Sequence, residues 1–326
     1  MTGILRWSQA LAKVRILFAS DFHGSEMVWR KFLNSASIFK CNWLIMGGDL
    51  TGKILTPIVF QSDGTYTADF LGQIHTIQAA NLESFRKQVK DHCYIPYVCD
   101  QTQFKALKEA SQEEIERIFA DLECQTLKEW LDIIPNKVSS DVKVLIHPGN
   151  DDKFELDDVI KASPYATYAE ESVVDLDGEH EAACLGYSNP TPWNSPRECS
   201  EEELMVKLEK LASQVSNVDE SLFCLHCPPY ESQIDQAPQL DKNFRPVMEG
   251  GRPKLIPVGS KSVRAIIEKY QPLLGLHGHI HECRGFMNIG RTRCMNPGSE
   301  YTEGLLSAYL IEIDGKKIKR LQRVEG

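Results

Sequence analysis

With 326 residues, 42% of them hydrophobic and 25% charged, the chain has enough apolar side chains for a large core and the composition of an ordinary globular protein. Its 46 acidic residues against 36 basic ones give a formal net charge of −10, which excludes a general nucleic-acid-binding surface. No run reaches the ~18 apolar residues of a membrane span, no segment has the layout of a secretory signal, and the ten cysteines form no regular framework, so a reducing cytoplasm is expected.

Residues 1–13 hold Leu5, Trp7 and Leu11 without a clear pattern. Val14–Ala19 reads as a buried strand ending at Ser20-Asp21-Phe22-His23-Gly24; a helix over about 25–38 follows, then a strand at Trp43–Met46 ending at Gly47-Gly48-Asp49. Strand, helix, strand is the rhythm of a largely parallel α/β sheet, and sites are built at the carboxyl ends of such strands. From 54 to 137 the rhythm changes. Apart from a turn at Ser62-Asp63-Gly64, this stretch reads as a largely helical insertion within a single domain spanning 1–326. Ser111 and Glu114 make a capping box ahead of the stripe Ile115, Ile118, Phe119 and Leu122. His75 and His92 lie in the same segment.

The alternation resumes at Val142–Ile146, which ends at His147-Pro148-Gly149-Asn150-Asp151-Asp152. Ala182–Tyr187 precedes a proline-rich loop, Ser200 with Glu203 starts a helix, and Leu222–Leu225 ends at His226. Residues 230–258 read as a long functional loop. Ser260 or Ser262 caps a helix leading to Leu276-His277-Gly278-His279-Ile280-His281. If that last stretch is extended, residues two apart share a side, so His279 and His281 enter one site. Ser307–Ile313, Asp314-Gly315 and Lys316–Val324 read as a hairpin.

Five strand ends thus carry Asp21 with His23, Asp49, Asn150, His226, and His279 with His281. Two aspartates, one asparagine and four histidines exceed what one ion needs. A carboxylate bridges two cations readily, and mixed N and O donors favour Mn, Fe, Zn or Ni over Ca or Mg. Two ions about 3.5–4 Å apart are a recurrent device for phosphoryl displacement. Two weaker signals stand beside this one. Cys224 and Cys227 form a lone CxxC in an apolar run, read as buried reduced thiols. Gly47–Lys53 formally matches the start of a phosphate-binding P-loop, but Ile54 stands where Ser or Thr would hold Mg²⁺. Lys53 remains a candidate phosphate contact, as does Arg252 with Arg245 and Lys254 in the long loop, against the plainer reading of solvated surface charge.

The series Asp21-x-His23, Gly48-Asp49, Gly149-Asn150-x-Asp152, His226 and Gly278-His279-x-His281 resembles the calcineurin-like metallophosphoesterase superfamily, with Asn296-Pro297-Gly298-Ser299 similar to the stretch that follows its last metal motif. The likeness runs from about residue 14 to 313 and is nearest to the predicted phosphoesterases related to the cyclic-nucleotide phosphodiesterase Icc. It implies a four-layer αββα sandwich of two mixed sheets flanked by helices. It also implies one metal ion on Asp21, His23, Asp49 and His281, a second on Asp49, Asn150, His226 and His279, and attack on a phosphate ester by a metal-bridging hydroxide.

One position departs from the family. Asp151 stands where many members have a histidine thought to protonate the leaving group, and a carboxylate beside two cations is a poor acid. His147, His75, His92 or a metal-bound water are the substitutes, and activated diesters are expected to be better substrates than alkyl monoesters. The expected activity is a phosphodiesterase acting on a small phosphate ester, nucleotide-derived ones included, with an oligomer open. The alternatives are a phosphomonoesterase or nucleotide hydrolase on the same site, or a non-catalytic interaction module on the same fold.

Overall fold

The computed structural model describes residues 14–326, so Leu5, Trp7 and Leu11 lie outside the described residues. The chain opens with β1 (Val14–Ala19), α1 (Glu26–Phe39) and β2 (Trp43–Met46). The changed segment holds β3 (Ile54–Phe60), β4 (Thr65–Phe70), β5 (Gln73–Gln78), α2 (Leu82–Asp91), β6 (Tyr94–Cys99), α3 (Gln101–Glu109) and α4 (Gln112–Lys137). Then come β7 (Lys143–Ile146), α5 (Glu155–Ala162), β8 (Thr167–Tyr168), β9 (Ser172–Asp175), β10 (Glu181–Leu185), α6 (Glu201–Ala212) and β11 (Leu222–Leu225). The long loop carries β12 (Gln236–Pro238), β13 (Met248–Glu249), β14 (Arg252–Pro253) and β15 (Leu255–Pro257). The chain closes with α7 (Lys261–Tyr270), β16 (Leu274–Leu276), β17 (Gly285–Ile289), β18 (Thr292–Asn296), β19 (Ser307–Asp314) and β20 (Lys317–Glu325).

Two six-stranded mixed sheets dominate, ordered β20-β19-β1-β2-β7-β8 and β17-β18-β16-β11-β10-β9. In the first, β1, β2, β7 and β8 run parallel; in the second, β10, β11, β16 and β18 do. The period of two along each strand sorts the core. Ile16, Phe18, Trp43, Ile45 and Leu145 of the first sheet pack with Ala182, Cys184, Leu222, Cys224, Leu274 and Met295 of the second. The alternate residues Leu17, Ala19, Leu44 and Val144 pack instead on Trp29 and Phe32 of α1, Trp130 of α4 and Ile160 of α5. Ala183, Leu185, Phe223 and Leu225 pack on Leu204 and Leu208 of α6 and Ile266 of α7. The fold is therefore α/β with mixed sheets and helices against them.

Local signals explain the helix starts. Ser25, Ser111, Ser200 and Ser260 each accept a hydrogen bond from the main-chain N–H three residues on, and Glu114 and Glu203 close capping boxes. Each such cap is worth about 1 kcal/mol. The C-terminal hairpin forms one residue away from the expected turn: Asp314 pairs with Lys317, so the loop is Gly315-Lys316, with Gly315 at φ 52°. A glycine at the first loop position suits the twist of the strands.

The segment 54–137 is not helical alone. It contains a four-stranded sheet, β5-β4-β3-β6, whose core of Ile58, Phe70, Ile77, Phe85 and Val89 is closed by α2. Lys53 runs straight into β3 rather than a helix, which removes the P-loop.

Candidate functional site

Loops after β1, β2, β7, β11 and β16 meet at the carboxyl edge of both sheets and are laced together by main-chain bonds. Asp21 N–H donates to Gly48 O and His23 N–H to Asp49 O, while Gly278 N–H donates to His226 O. The stretch Asn296–Ser299 braces them. Asn296 Nδ2 donates to the carbonyls of Gly278 and Ile280, and Ser299 Oγ donates to Asp21 O at 2.6 Å.

Four of the expected ligands, Asp21 (φ 61°), His23 (43°), Asp49 (55°) and His279 (69°), sit in the left-handed backbone region. A non-glycine residue there costs about 1–3 kcal/mol and persists only where its surroundings over-determine it. Gly278 and Gly149 make the crowding feasible: a Cβ on Gly278 would stand 2.4 Å from Asp21 Oδ2, and one on Gly149 would stand 2.2 Å from Asp49 Oδ1. The stretch from 277 to 281 is thus no strand, since β16 ends at Leu276. His279 and His281 reach different partners instead of sharing one side.

The seven side chains converge in two overlapping groups. Donor atoms of Asp21, His23, Asp49 and His281 lie within 4.8 Å of one another, with His23 Nε2 2.9 Å from His281 Nε2. Asn150 Oδ1 meets His226 Nε2 at 3.0 Å and His279 Nδ1 at 2.7 Å, and His226 Nε2 lies 3.4 Å from Asp49 Oδ1. Asp49 thus faces both groups, its Oδ2 lying 3.5 Å from His23 and its Oδ1 toward His226. The His226 ring is fixed: Nδ1 must donate to Gly47 O at 2.7 Å, which turns Nε2 toward the centre. The imidazole and carboxylate donors of Asp21, His23, Asp49 and His281 are close enough together to hold a metal ion.

The electrostatics of these buried groups are opposed. Burial and the His281 charge push His23 well below its usual range, and burial takes His279 down to about 3. His226 goes up to about 10: burial opposes protonation there, but the Asp49 carboxylate outweighs it. Burial raises Asp49, while at Asp21 the hydrogen bond and charge of His281 and the charges of His226 and His23 overcome burial and hold the carboxyl low. Burial and the charge of Asp49 raise Asp152 to about 7; its carboxylate accepts the N–H groups of Leu50 and Gly149 at 2.9 and 2.8 Å.

Asp151 lies at the rim. Burial would raise its carboxyl, but an ion pair with Lys53 and a 2.5 Å bond from Ser195 Oγ bring it down to about 2. His147, expected as a catalytic group, is sealed: it is 1% exposed, Nδ1 faces Pro148 O, and burial takes it down to about 3. Its neutral ring is no proton donor at neutral pH. His75 and His92 pack against Phe70 in the added sheet. Arg252 is exposed on β14, and no contact among the described residues joins it to the cluster.

Three neighbours escaped the motif reading. The Tyr301 ring packs on His23 and His281, with centroids 4.8 and 5.6 Å away. Ser195 holds Asp151, and Arg197 holds the chain around Asn150. Tyr301 lies two residues beyond the Asn296–Ser299 stretch, and the other two lie in the loop after β10; position at a strand end was the available signal. Cys224 and Cys227 are free, buried thiols.

No family model matches the chain. It is 33% identical over 163 residues to an uncharacterised protein, MJ1162, of Methanocaldococcus jannaschii; the match covers 49% of this chain and 66% of that one, so it spans just under two thirds of the relative's length. A solved crystal structure superposes on 96% of the chain and 99% of its own at TM-score 0.57 and 14% identity. TT1561 of Thermus thermophilus does so over 96% and 99% at TM-score 0.50 and 14% identity. Both likenesses are of fold alone. A novel archaeal phosphodiesterase aligns over 96% of the chain at TM-score 0.34 and 12% identity, too remote to carry an argument. Among the described residues, no helix is long and apolar enough to cross a membrane.

Proposed function

We propose that the chain is a metallophosphoesterase of the calcineurin-like superfamily, a phosphodiesterase working with two metal ions on the four-layer αββα sandwich of that family. The observation that carries this reading is the convergence of seven donor side chains from five strand ends on two adjacent points, with Asp49 turned toward both. Asp21, His23, Asp49 and His281 would hold one ion, and Asp49, Asn150, His226 and His279 the other. Such ions, when bound, lower the pKa of water and offset charge on the phosphate oxygens.

The chain's own residues do the rest. Gly47 O orients His226, the N–H of Asp151 donates to Asp49 Oδ1 at 3.0 Å, and the N–H of His279 donates to Asp21 Oδ1 at 2.9 Å, so the carboxylates are fixed before substrate arrives. Lys53, half-exposed and tethered by Asp151, offers a positive charge to a phosphate oxygen at the rim. Neither the ion-paired Asp151 nor the sealed His147 is set to protonate a leaving group, which favours diesters with good leaving groups over alkyl monoesters.

Metal analysis of the purified protein, paired with hydrolysis of bis-p-nitrophenyl phosphate over Mn, Ni, Zn, Fe and Mg, tests the reading. About two ions per chain and metal-dependent turnover, both lost in Asp49→Ala, are expected. Absence of metal binding would end it; two ions without turnover on mono- or diesters would leave a binding module.

A further inference from the structure

At one end of the added sheet β5-β4-β3-β6, α4 packs against β6; at the other end stands β5. Which of its main-chain groups are left over follows from the register. Thr65 O accepts the N–H of Gln61, so Thr65 turns its main-chain groups toward β3 and its neighbour Tyr66 turns the other way, toward β5. Ala68 and Phe70 follow by the period of two, and their partners His75 and Gln73, with Ile77 opposite Tyr66, face β4 in return. The turn Leu71-Gly72 agrees: both residues have positive φ, 54° and 74°, and the residues flanking such a turn bond to each other. Ile74 and Thr76 therefore point their N–H and C=O groups out of the sheet, while Gln78 leads into the short helical turn Ala79–Asn81. No main-chain hydrogen bond from a turn or loop among the described residues reaches Ile74 or Thr76.

Unpaired edges invite another strand, and proteins blunt them with charge, proline, bulges or short length. This chain does so elsewhere: β8 has two residues, and β20 carries Lys317, Lys319, Arg320 and Arg323. β5 has none of these devices. It is six residues long, Gln73-Ile74-His75-Thr76-Ile77-Gln78, keeps an unbroken register with β4, and holds no acidic residue, lysine, arginine or proline. Its side chains divide by face. His75 packs on Phe70 and Phe85, and Ile77 lies in the core under α2, whereas Ile74 on the other face is 82% exposed. In a chain of net charge −10, an uncharged strand is where two copies can approach without repulsion.

We propose that β5 pairs with β5 of a second copy, antiparallel about a two-fold axis at His75, joining the two added sheets into one. In this register Ile74 of each copy meets Thr76 of the other, and every outward group finds its counterpart in about four main-chain bonds, two per pair. The exposed Ile74 side chains become diagonal neighbours on the open face and leave water together. A second copy is the occupant because the two-fold matches each donor with an identical strand's acceptor. It uses each β5 edge once, so the pairing closes at two chains.

The test is sedimentation velocity of the full-length protein from about 2 to 200 µM, since a dimer forms by mass action. Wild type is expected to shift from monomer to dimer across that range. Ile74→Lys places like charges on the diagonal, and Thr76→Pro removes an outward N–H while leaving the bonds to β4 untouched. Both should stay monomeric at every concentration with the circular dichroism of wild type, and Ile74→Val should dimerise as wild type does. Mixing Ile74→Lys with Ile74→Glu should restore dimers, a result that misfolding of either variant cannot give. A monomeric wild type, a dimer that survives both Ile74→Lys and Thr76→Pro, or failure of the mixed variants to associate overturns the pairing.

Discussion

The guanidinium of Arg197, 1% exposed, donates from Nε to the carbonyl of Asp152 at 2.8 Å, across 45 residues of sequence. The same side chain donates to Lys153 O at 3.2 Å and to Asp157 Oδ1 at 2.6 Å, while its main-chain N–H donates to Asn150 O at 3.0 Å. A buried fork thus fixes the loop that delivers Asn150. Arg197→Met should cost about 3–5 kcal/mol, the usual result of stranding one partner of a buried ion pair. Arg197→Lys should recover little, since one ammonium cannot reach three acceptors in a plane. Urea unfolding gives the first quantity, and Mn retention on dialysis should fall alongside it. A variant as stable and as metal-retentive as wild type would refute the role.

Gly149 stands where the chains of two strand ends touch. The missing Cβ would lie 2.2 Å from Asp49 Oδ1 and 2.7 Å from His226 Cε1. Overpacking of this kind costs about 1–3 kcal/mol, and here the displaced atoms are the expected ligands. Gly149→Ala should remain folded by circular dichroism while losing at least tenfold in Mn affinity. Unchanged Mn binding would mean that the two loops yield more easily than their packing implies.

How far this centre was readable depended on the kind of signal. Buried parallel strands print themselves as short apolar runs, so Val14–Ala19, Trp43–Met46 and Leu222–Leu225 were legible, and the ligands follow them directly. The added sheet was not legible. Its strands Thr65–Phe70 and Gln73–Gln78 are half-exposed and mix polar with apolar residues, so neither period stands out. Backbone strain left no trace either: His279 at φ 69° breaks the extended geometry that the alternation of His279 and His281 suggests. Nor does any local pattern announce that Ser195 or Tyr301 comes home to Asp151 or His23, because those contacts span 44 and 278 residues. Such pairings are decided by the packing of whole sheets.

Asp151 is committed on two sides, to the Lys53 ammonium and the Ser195 hydroxyl, and donates nothing from its side chain. Asp151→His would free Lys53 and set an imidazole beside Asn150. The variant should gain about tenfold or more on an alkyl phosphate ester, where leaving-group protonation limits the rate, and should gain little on bis-p-nitrophenyl phosphate. Steady-state kcat on the two substrates measures this. A parallel change on both would mean that the position acts through charge alone.

Glu170 offers a pH test away from the donor cluster. Its Oε2 accepts the N–H of Gly186 at 2.7 Å, its Oε1 has no hydrogen-bond partner among the described residues, and burial carries its carboxyl from 4.5 to about 8, with Glu171 and Asp157 adding repulsion and Arg197 only partly offsetting it. Between those two values the folded chain holds a proton that the unfolded chain has released. Stability must therefore fall as pH rises through this window, by up to about 1.4 kcal/mol per pH unit from this residue. Below it both states are protonated and the term vanishes. Glu170→Gln keeps an acceptor for Gly186 and removes the titration, so it should match wild type near pH 4.5 and exceed it in urea at pH 8. Because Asp152 titrates in the same direction, the quantity to read is the difference between the two proteins at each pH. A difference that does not change between pH 5 and 8 would show that the Glu170 carboxyl is ionised throughout, with a partner compensating its burial.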